Sequence, residues 1–188
     1  MSLRRPKQPE AVREQILAAA RQVLAEQGAA ALSFDRVLAL TDLSKGGLQH
    51  HFRTRQALLD GLFEQLLARF ALLLETGLAR EPAGPARATR AYVKVVCRAA
   101  LTDSATDGRE VAALLVADPR YQQRHTALVD AFCQDDAIAP GLALTCRYAV
   151  DGLWHACAFS GSPASEAAAT LQAHLLALLG EADATAPR

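Results

Sequence analysis

Hydrophobic residues recur every three to four positions along most of this chain, and short polar or glycine-containing segments separate the runs. This spacing is typical of amphipathic α-helices, and no segment shows the alternation of a convincing β-strand. The pattern therefore predicts an all-α fold of about nine helices, with a loop at residues 103–108. The predicted helices cover residues 9–27, 34–40, 45–51, 54–80, 86–101, 110–116, 119–133, 141–159 and 164–179.

Residues 33–55 predict two short helices joined by a tight turn, with a longer helix directly after them. Ser33 is a favoured N-cap residue ahead of the first apolar set, and Ser44 can cap the second helix. Asp42 lies in the break between the helices, where a tight turn often needs a residue that tolerates left-handed backbone. The segment is therefore a candidate helix-turn-helix.

The second of these helices carries two adjacent glycines in its first turn. Each glycine costs about 1 kcal/mol relative to alanine inside a helix, so Gly46 and Gly47 need a reason. Close approach to another surface is one such reason. A helix with a bare first turn can enter the major groove of DNA, where Lys45 and Gln49 beside the glycines can reach base edges.

The run at residues 43–52, LSKGGLQHHF, together with Arg55 and Leu58, resembles the helix-turn-helix of the tetracycline-repressor (TetR) family. The resemblance covers about the first sixty residues. It implies a sequence-specific, ligand-responsive transcriptional repressor that binds a palindromic double-stranded DNA operator as a homodimer, with the last two helices pairing between subunits. Further residues that carry the resemblance are Arg13, Ile16, Leu17, Ala19, Ala20 and Gly28.

The chain departs from the usual residues of the family in four places. Gln49 stands where an aromatic residue, commonly Tyr, is usual, and a glutamine can instead read an adenine edge. Arg55 stands where Lys is usual, which preserves a phosphate contact. The other departures are Asp42 for Gly, Val37-Leu38 for Ile-Ala, and Gln56 for Glu.

The resemblance and the helix-turn-helix pattern together predict the DNA contacts. The residues expected to reach base edges lie on the second helix, and those expected to hold phosphates lie at helix starts or nearby. The two serines can also act as caps alone, and His51 can simply pack against Phe52. The predicted contacts are Lys45, Gly46, Gly47 and Gln49 for bases, Ser33, Ser44, His51 and Arg55 for phosphates, and His50 as a further DNA contact.

The charge is unevenly distributed, although the formal net charge is zero. Residues 1–55 contain nine Lys and Arg against five Asp and Glu, whereas residues 56–188 contain eleven against fifteen. A basic amino-terminal module suits a protein that contacts a polyanion with one end, although so modest an excess also arises by chance. Residues 1–8 are expected to be a disordered basic arm that can lie in a minor groove.

The predicted organisation is a helix-turn-helix DNA-binding domain at residues 1–55 and a helical effector-binding and dimerisation domain at residues 56–188. The helix at 54–80 would be about 40 Å long, enough to act as a lever between the two domains. No signal peptide is visible and no run of about 18 apolar residues occurs, so a cytoplasmic protein without a membrane partner is expected.

Ionisable residues form a ridge on the helix predicted at 141–159. Arg147, Asp151 and His155 follow one another at four-residue spacing on an otherwise apolar helix, where such groups must be paired, hydrated or used. Three interpretations remain open: a structural salt-bridge ladder, a dimer interface and the lining of a ligand cavity. The first two together are favoured. Residues 151–154, Asp-Gly-Leu-Trp, also resemble a segment in carboxy-terminal domains of one TetR branch.

An unknown small-molecule effector is expected to bind among the helices of the second domain and to favour one setting of the lever helix. Each candidate contact, taken singly, is better explained as a core residue. The candidates are aromatic or ionisable residues at helical positions. They are Phe70, Tyr92, His125, Asp151 and Trp154.

Two other functions compete with this interpretation. A helical-bundle enzyme would need a catalytic constellation, but the chain has no Glu-x-x-His pair, HExxH motif, P-loop or dinucleotide turn, so no catalysis, metal or cofactor is expected. Asp151 and His155 could form an acid–base pair, yet no nucleophile accompanies them. The other rival is an interaction protein with a degenerate helix-turn-helix. Four cysteines without metal spacing are interpreted as core residues: Cys97, Cys133, Cys146 and Cys157.

Overall fold

The structure, a computed structural model, describes residues 9–101, 105–160 and 165–185. These residues form nine α-helices and one short 3-10 turn, and they contain no strand, which confirms the predicted all-α fold. The predicted basic arm at residues 1–8 lies outside the described residues. The helices are α1 (Pro9–Gln27), α2 (Phe34–Ala39), α3 (Lys45–His51), α4 (Arg55–Leu78), α5 (Arg87–Leu101), α6 (Ala105–Ala117), α7 (Pro119–Cys133), α8 (Pro140–Ser160) and α9 (Ser165–Thr185).

Most predicted helix boundaries agree with the structure to within two residues, because local capping residues define them. Gly28 ends α1 with a φ of 79°, a conformation that favours glycine. Asp118 caps α7 by accepting a hydrogen bond from the Arg120 backbone N–H at 2.9 Å, and Pro119 occupies the first helical position.

Three local features differ from the prediction. The last helix, α9, continues to Thr185, six residues beyond its predicted end at residue 179. A 3-10 turn, Ala29–Ala31, lies between α1 and α2 and was not predicted. The predicted loop at residues 103–108 is wrong from Ala105 onward, because α6 already begins there; residues 103 and 104 lie outside the described residues. Gly108 costs a helix only about 1 kcal/mol, and burial of the later α6 residues Leu114 and Leu115 outweighs it.

The chain divides into two compact units, Met1–Leu66 and Leu67–Arg188. The division lies within α4, eleven residues after the start of that helix. The first turns of α4 belong to the first unit because they pack there: Gln65 donates to Glu14 of α1 at 2.6 Å, and a Cβ added at Gly61 would lie 2.7 Å from Phe52 Cε1.

The core of the first unit is apolar and draws on all four of its helices. Phe52, at the end of α3, is 4% exposed, and the Arg13 guanidinium lies 5.5 Å from its ring centroid in a cation–π contact. This core fixes α2 and α3 against α1 and the start of α4. Its fully buried members include Ile16, Leu17, Ala20, Val37, Leu48, Leu58 and Leu62.

The second unit is built around α5, which packs against α6, α7, α8 and α9. Its main hydrophobic core includes two of the four cysteines, Cys97 and Cys146, in reduced form. Burial raises the pKa of the Cys97 thiol to about 11, so this group is a protonated packing residue at neutral pH. Other core members are Leu74, Tyr92, Val93, Val96, Val129, Val150, Leu175 and Leu179.

Polar contacts hold the two ends of the connection between α4 and α5. Arg87 donates to the carbonyl oxygens of Leu78 at 3.0 Å and Glu81 at 3.1 Å, and so caps the carboxyl end of α4. Lys94 of α5 forms a salt bridge of 2.7 Å with the buried Glu81 carboxylate. No helix among the described residues is long and apolar enough to cross a membrane.

Candidate functional site

The two serines at the helix-turn-helix act as N-caps. Ser33 Oγ accepts a hydrogen bond from the Arg36 backbone N–H at 3.3 Å, and Ser44 Oγ accepts one from the Gly47 backbone N–H at 3.1 Å. A capping serine holds the amino end of its helix open to an anion, since the remaining N–H groups there have no intrahelical partner. Contacts of Ser33 and Ser44 with phosphate stay a prediction.

One side of α3 is fixed in the core and the other is exposed. Leu48 is fully buried and anchors the helix, whereas Lys45, Gly46 and Gln49 are exposed on the opposite side. Within the described part of the chain, neither Lys45 nor Gln49 forms a hydrogen bond or an ion pair, so both side chains are available to a partner.

The glycines of α3 are explained differently by their surroundings. A Cβ added at Gly47 would lie 3.3 Å from Ser44 Oγ, so the cap itself favours a small residue there. A Cβ added at Gly46 would meet nothing within 4 Å, and its φ is negative. Packing inside the chain therefore gives no reason for Gly46, and its close approach to DNA stays a prediction.

The end of α3 carries two histidines. The rings of His50 and His51 meet edge to face, with centroids 5.5 Å apart. His50 is exposed and His51 is half-buried, so His50 joins the exposed side of α3 while His51 lies at its edge. Their DNA contacts stay predictions.

Arg55 differs from the other predicted contacts because its guanidinium is engaged inside the chain. Its Nε donates to the Leu32 carbonyl oxygen at 2.7 Å, and its Nη2 donates to the Ala29 carbonyl oxygen at 2.5 Å. The residue is exposed overall, and its guanidinium has three further N–H groups besides these two donors.

The five candidate effector residues form one connected group in the second unit. The Phe70 and His125 rings stack with centroids 5.3 Å apart and an interplanar angle of 17°, and Phe70 packs against the core that contains Tyr92. The Tyr92 hydroxyl donates to the Asp151 carboxylate. Trp154 packs against the same core.

The ionisable groups in this region are paired across three helices. The Asp151 carboxylate, which accepts from Tyr92, also lies 3.8 Å from Arg147 Nε, and Arg147 in turn forms a salt bridge with Asp130 of α7. The structure thus supports the salt-bridge interpretation of the ridge for Arg147 and Asp151. His155 differs, since its Nδ1 lies 2.7 Å from the Asp151 backbone oxygen.

Burial controls protonation in this group. It raises the pKa of Tyr92 well above the ordinary value for tyrosine, and the neighbouring Asp151 carboxylate adds to the shift, so Tyr92 stays a donor at neutral pH. Burial lowers the pKa of His125, which favours the neutral imidazole on Phe70. The described residues contain no cluster of three or more His, Cys, Asp or Glu side chains that could hold a metal ion.

Two family comparisons cover both units. Residues 16–62 match the model of the bacterial regulatory proteins of the tetR family, and residues 86–180 match the model of the tetracyclin repressor-like C-terminal domain. This chain belongs to the TetR family. It is therefore a DNA-binding transcriptional regulator with a helix-turn-helix, and not an enzyme.

Solved structures share the TetR fold with this chain at low sequence identity. A candidate transcriptional regulator of Pseudomonas aeruginosa PAO1 is 17% identical, with a TM-score of 0.71 over 96% of this chain and 94% of that one. A TetR-family member from Streptomyces coelicolor A3 is 21% identical, with a TM-score of 0.66 over 87% of this chain and 97% of that one.

The multidrug-binding protein EbrR, solved in complex with ethidium, also has this fold. It is 20% identical to the chain, with a TM-score of 0.64 over 87% of this chain and 97% of EbrR. None of the curated proteins compared with this TetR-family chain matches its sequence significantly.

Sequence reasoning missed two sets of partners at these sites. It placed Asp130 in no cluster, although that residue pairs with Arg147, and it assigned no role to the carbonyl groups that Arg55 contacts. The partners lie 17 to 26 residues apart in sequence, and backbone carbonyls carry no residue-type signal. Only the packing of the helices shows these pairings.

Proposed function

We propose that this TetR-family regulator is a ligand-responsive repressor that binds a palindromic operator as a homodimer. The observation that carries the proposal is the exposed side of α3, where Lys45 and Gln49 have no partner among the described residues and flank a glycine that internal packing does not require. A capped, anchored helix with such a side suits insertion into the major groove. Bacterial DNA lies in the cytoplasm, where we place the protein.

The proposed DNA contacts form two sets, one to base edges and one to phosphates. Side chains of α3 would meet base edges, with Gln49 suited to the paired donor and acceptor of adenine. The capped amino ends of α2 and α3 would hold phosphates through backbone N–H groups and the serine hydroxyls. The base-facing set is Lys45, Gly46, Gly47, Gln49 and His50, and the phosphate-facing set is Ser33, Ser44 and His51, with Arg55 treated below.

We propose that α8 and α9 pair with those of a second copy. On α8, Leu144 is 49% exposed and Tyr148 is 67% exposed, one turn apart. On α9, the exposed alanines Ala169, Ala173 and Ala177 follow at four-residue spacing, which permits close helix approach. A dimer presents two copies of α3 and can read two half-sites, whereas a single seven-residue helix contacts too few base pairs for a specific site.

We place the effector at the connected group of Phe70, Tyr92, His125, Asp151 and Trp154. These residues combine stacked aromatic rings with a few polar groups, the usual composition of a small-molecule site. The structural similarity to EbrR, which binds ethidium, is compatible with this assignment. An effector would change DNA affinity only by binding two settings of the dimer with different affinity.

The test of DNA reading is a selection of bound fragments from random duplex DNA at near-physiological salt. Wild type should enrich a two-fold symmetric sequence, and Lys45→Ala should bind the selected duplex more weakly. Arg80→Ala is the matched control, since it removes one exposed positive charge from the second unit and should leave the selected sequence unchanged. Failure of the folded wild-type dimer to enrich any sequence, with and without candidate ligands, would instead favour an interaction protein.

A further inference from the structure

Arg55 occupies a position that is electrostatically unfavourable for a cation. It is the first residue of α4, and the amino end of a helix carries partial positive charge. The first turn of α4 contains no acidic residue that would offset the charge. The two carbonyl oxygens of Ala29 and Leu32 supply the compensation, because both direct their negative ends at the guanidinium.

The two hydrogen bonds of Arg55 also join the ends of the chain segment that contains α2 and α3. Leu32 lies directly before the Ser33 cap of α2, Ala29 begins the 3-10 turn just before Leu32, and Arg55 lies directly after the turn that follows α3. The 22 residues between Leu32 and Arg55 contain both helices of the helix-turn-helix, and the bonds join the two ends of that segment. Loss of the bonds would release both ends at once.

We propose that Arg55 is a positioning residue that braces the helix-turn-helix and is not a phosphate contact. The inference rests on the proposed function only where DNA binding is the readout. The planar guanidinium matters because its Nε and Nη2 donate in a fixed relative geometry to two acceptors. A lysine at this position keeps the charge, but its three donors lie on one nitrogen, which cannot occupy the Nε and Nη2 positions together. At least one of the two bonds is therefore lost or lengthened.

The discriminating variant is therefore Arg55→Lys, which preserves a phosphate contact but loses at least one of the two bonds of the brace. Bracing predicts that Arg55→Lys binds the selected duplex about tenfold more weakly, the equivalent of one lost hydrogen bond from a charged group. The slope of log affinity against log salt should equal that of wild type, because no phosphate contact is lost. Arg53→Lys is the matched control, since Arg53 is exposed and makes no hydrogen bond within the described residues, and it should behave as wild type.

A second variant, Arg55→Gln, removes the charge itself. If Arg55 braces the helix-turn-helix, Arg55→Gln should bind the selected duplex more weakly than wild type. Its slope of log affinity against log salt should equal that of wild type. A phosphate contact predicts that the slope falls by about 0.9 in Arg55→Gln while Arg55→Lys stays at wild-type affinity. That pair of results would overturn the proposal.

Amide hydrogen exchange tests the brace without DNA. Bracing predicts about tenfold faster exchange for the core amides of α2 and α3, at Val37 and Leu48, in Arg55→Lys than in Arg53→Lys. Equal exchange in the two variants would contradict it. If wild type binds no DNA, the proposed function fails, yet the exchange experiment still decides the role of Arg55.

Discussion

Tyr92 of α5 donates a hydrogen bond to the carboxylate of Asp151, which lies 59 residues further along the chain on α8. The tyrosine ring is 1% exposed, so its hydroxyl could not find water if the carboxylate were removed. The bond ties the central helix of the second unit to α8, the helix that also carries Arg147. It therefore joins the hydrophobic core to the ionic contacts at its edge.

Tyr92→Phe should lower the stability of the protein. The change leaves the ring in place but removes the donor from a half-buried carboxylate, and hydrogen bonds to charged groups contribute about 1.5–3 kcal/mol. The measurement is the free energy of unfolding in urea. Asp135→Asn is the control, because Asp135 is exposed and lies outside α8 and α9, and its stability should stay within about 0.5 kcal/mol of wild type. Equal stability of both variants would show that the bond contributes nothing.

His125 should make stability depend on pH. Burial lowers its pKa in the folded state below the ordinary value of 6.5, so the unfolded chain binds the proton more readily. The contribution of neutral His125 to the free energy of unfolding is fully present above pH 6.5. It is lost progressively as the pH falls from 6.5 through the lowered pKa of the folded state. Unfolding measured from pH 8 downward should thus show a steeper loss for wild type than for His125→Gln. His174→Gln, at an exposed position on α9, should retain the wild-type slope.

Gly46→Ala should raise the stability of the protein but weaken its binding to DNA. A Cβ meets nothing within 4 Å at this position, so alanine should stabilise α3 by about 0.5–1 kcal/mol through its higher helix propensity. On the selected duplex, however, the methyl group should weaken binding about tenfold if α3 approaches the bases closely. Thermal unfolding and fluorescence anisotropy measure the two effects.

The matched control for Gly46 is Gly141→Ala on α8, where an added Cβ also meets nothing within 4 Å. It should leave DNA affinity unchanged. If Gly46→Ala binds the selected duplex as tightly as wild type, close approach to DNA does not explain the glycine.

Asp136 should contribute more to the free energy of unfolding than the exposed Asp135 beside it. Its carboxylate accepts from the backbone N–H groups of Ala88 at 2.9 Å and Thr89 at 2.6 Å, which caps the amino end of α5, and it also accepts from Thr89 Oγ1 at 2.6 Å. Asp136→Ala should cost about 2 kcal/mol, since a cap and a favourable helix-dipole contact are both lost. Asp135→Ala removes an exposed carboxylate without such bonds. Equal urea midpoints for the two variants would contradict this assignment.

The sequence by itself determined the helices and the family of this protein. Helical periodicity and the caps Ser33, Ser44 and Asp118 operate over three or four residues, so local sequence is enough to find them. The motif at residues 43–52 likewise sufficed for the TetR family, which the matches at residues 16–62 and 86–180 confirm. The start of α6 was missed because buried apolar residues outweighed a local glycine.

Tertiary structure alone decided which side chains meet. Sequence suggested Arg55 as a phosphate contact and left the ridge at Arg147 and Asp151 open between three interpretations. Packing shows the Arg55 guanidinium on the carbonyl groups of Leu32 and Ala29, and it brings Tyr92 and Asp130 from other helices to that ridge. The physical reason is that helical periodicity determines which side of a helix is buried, but the partner across the interface depends on how the helices pack.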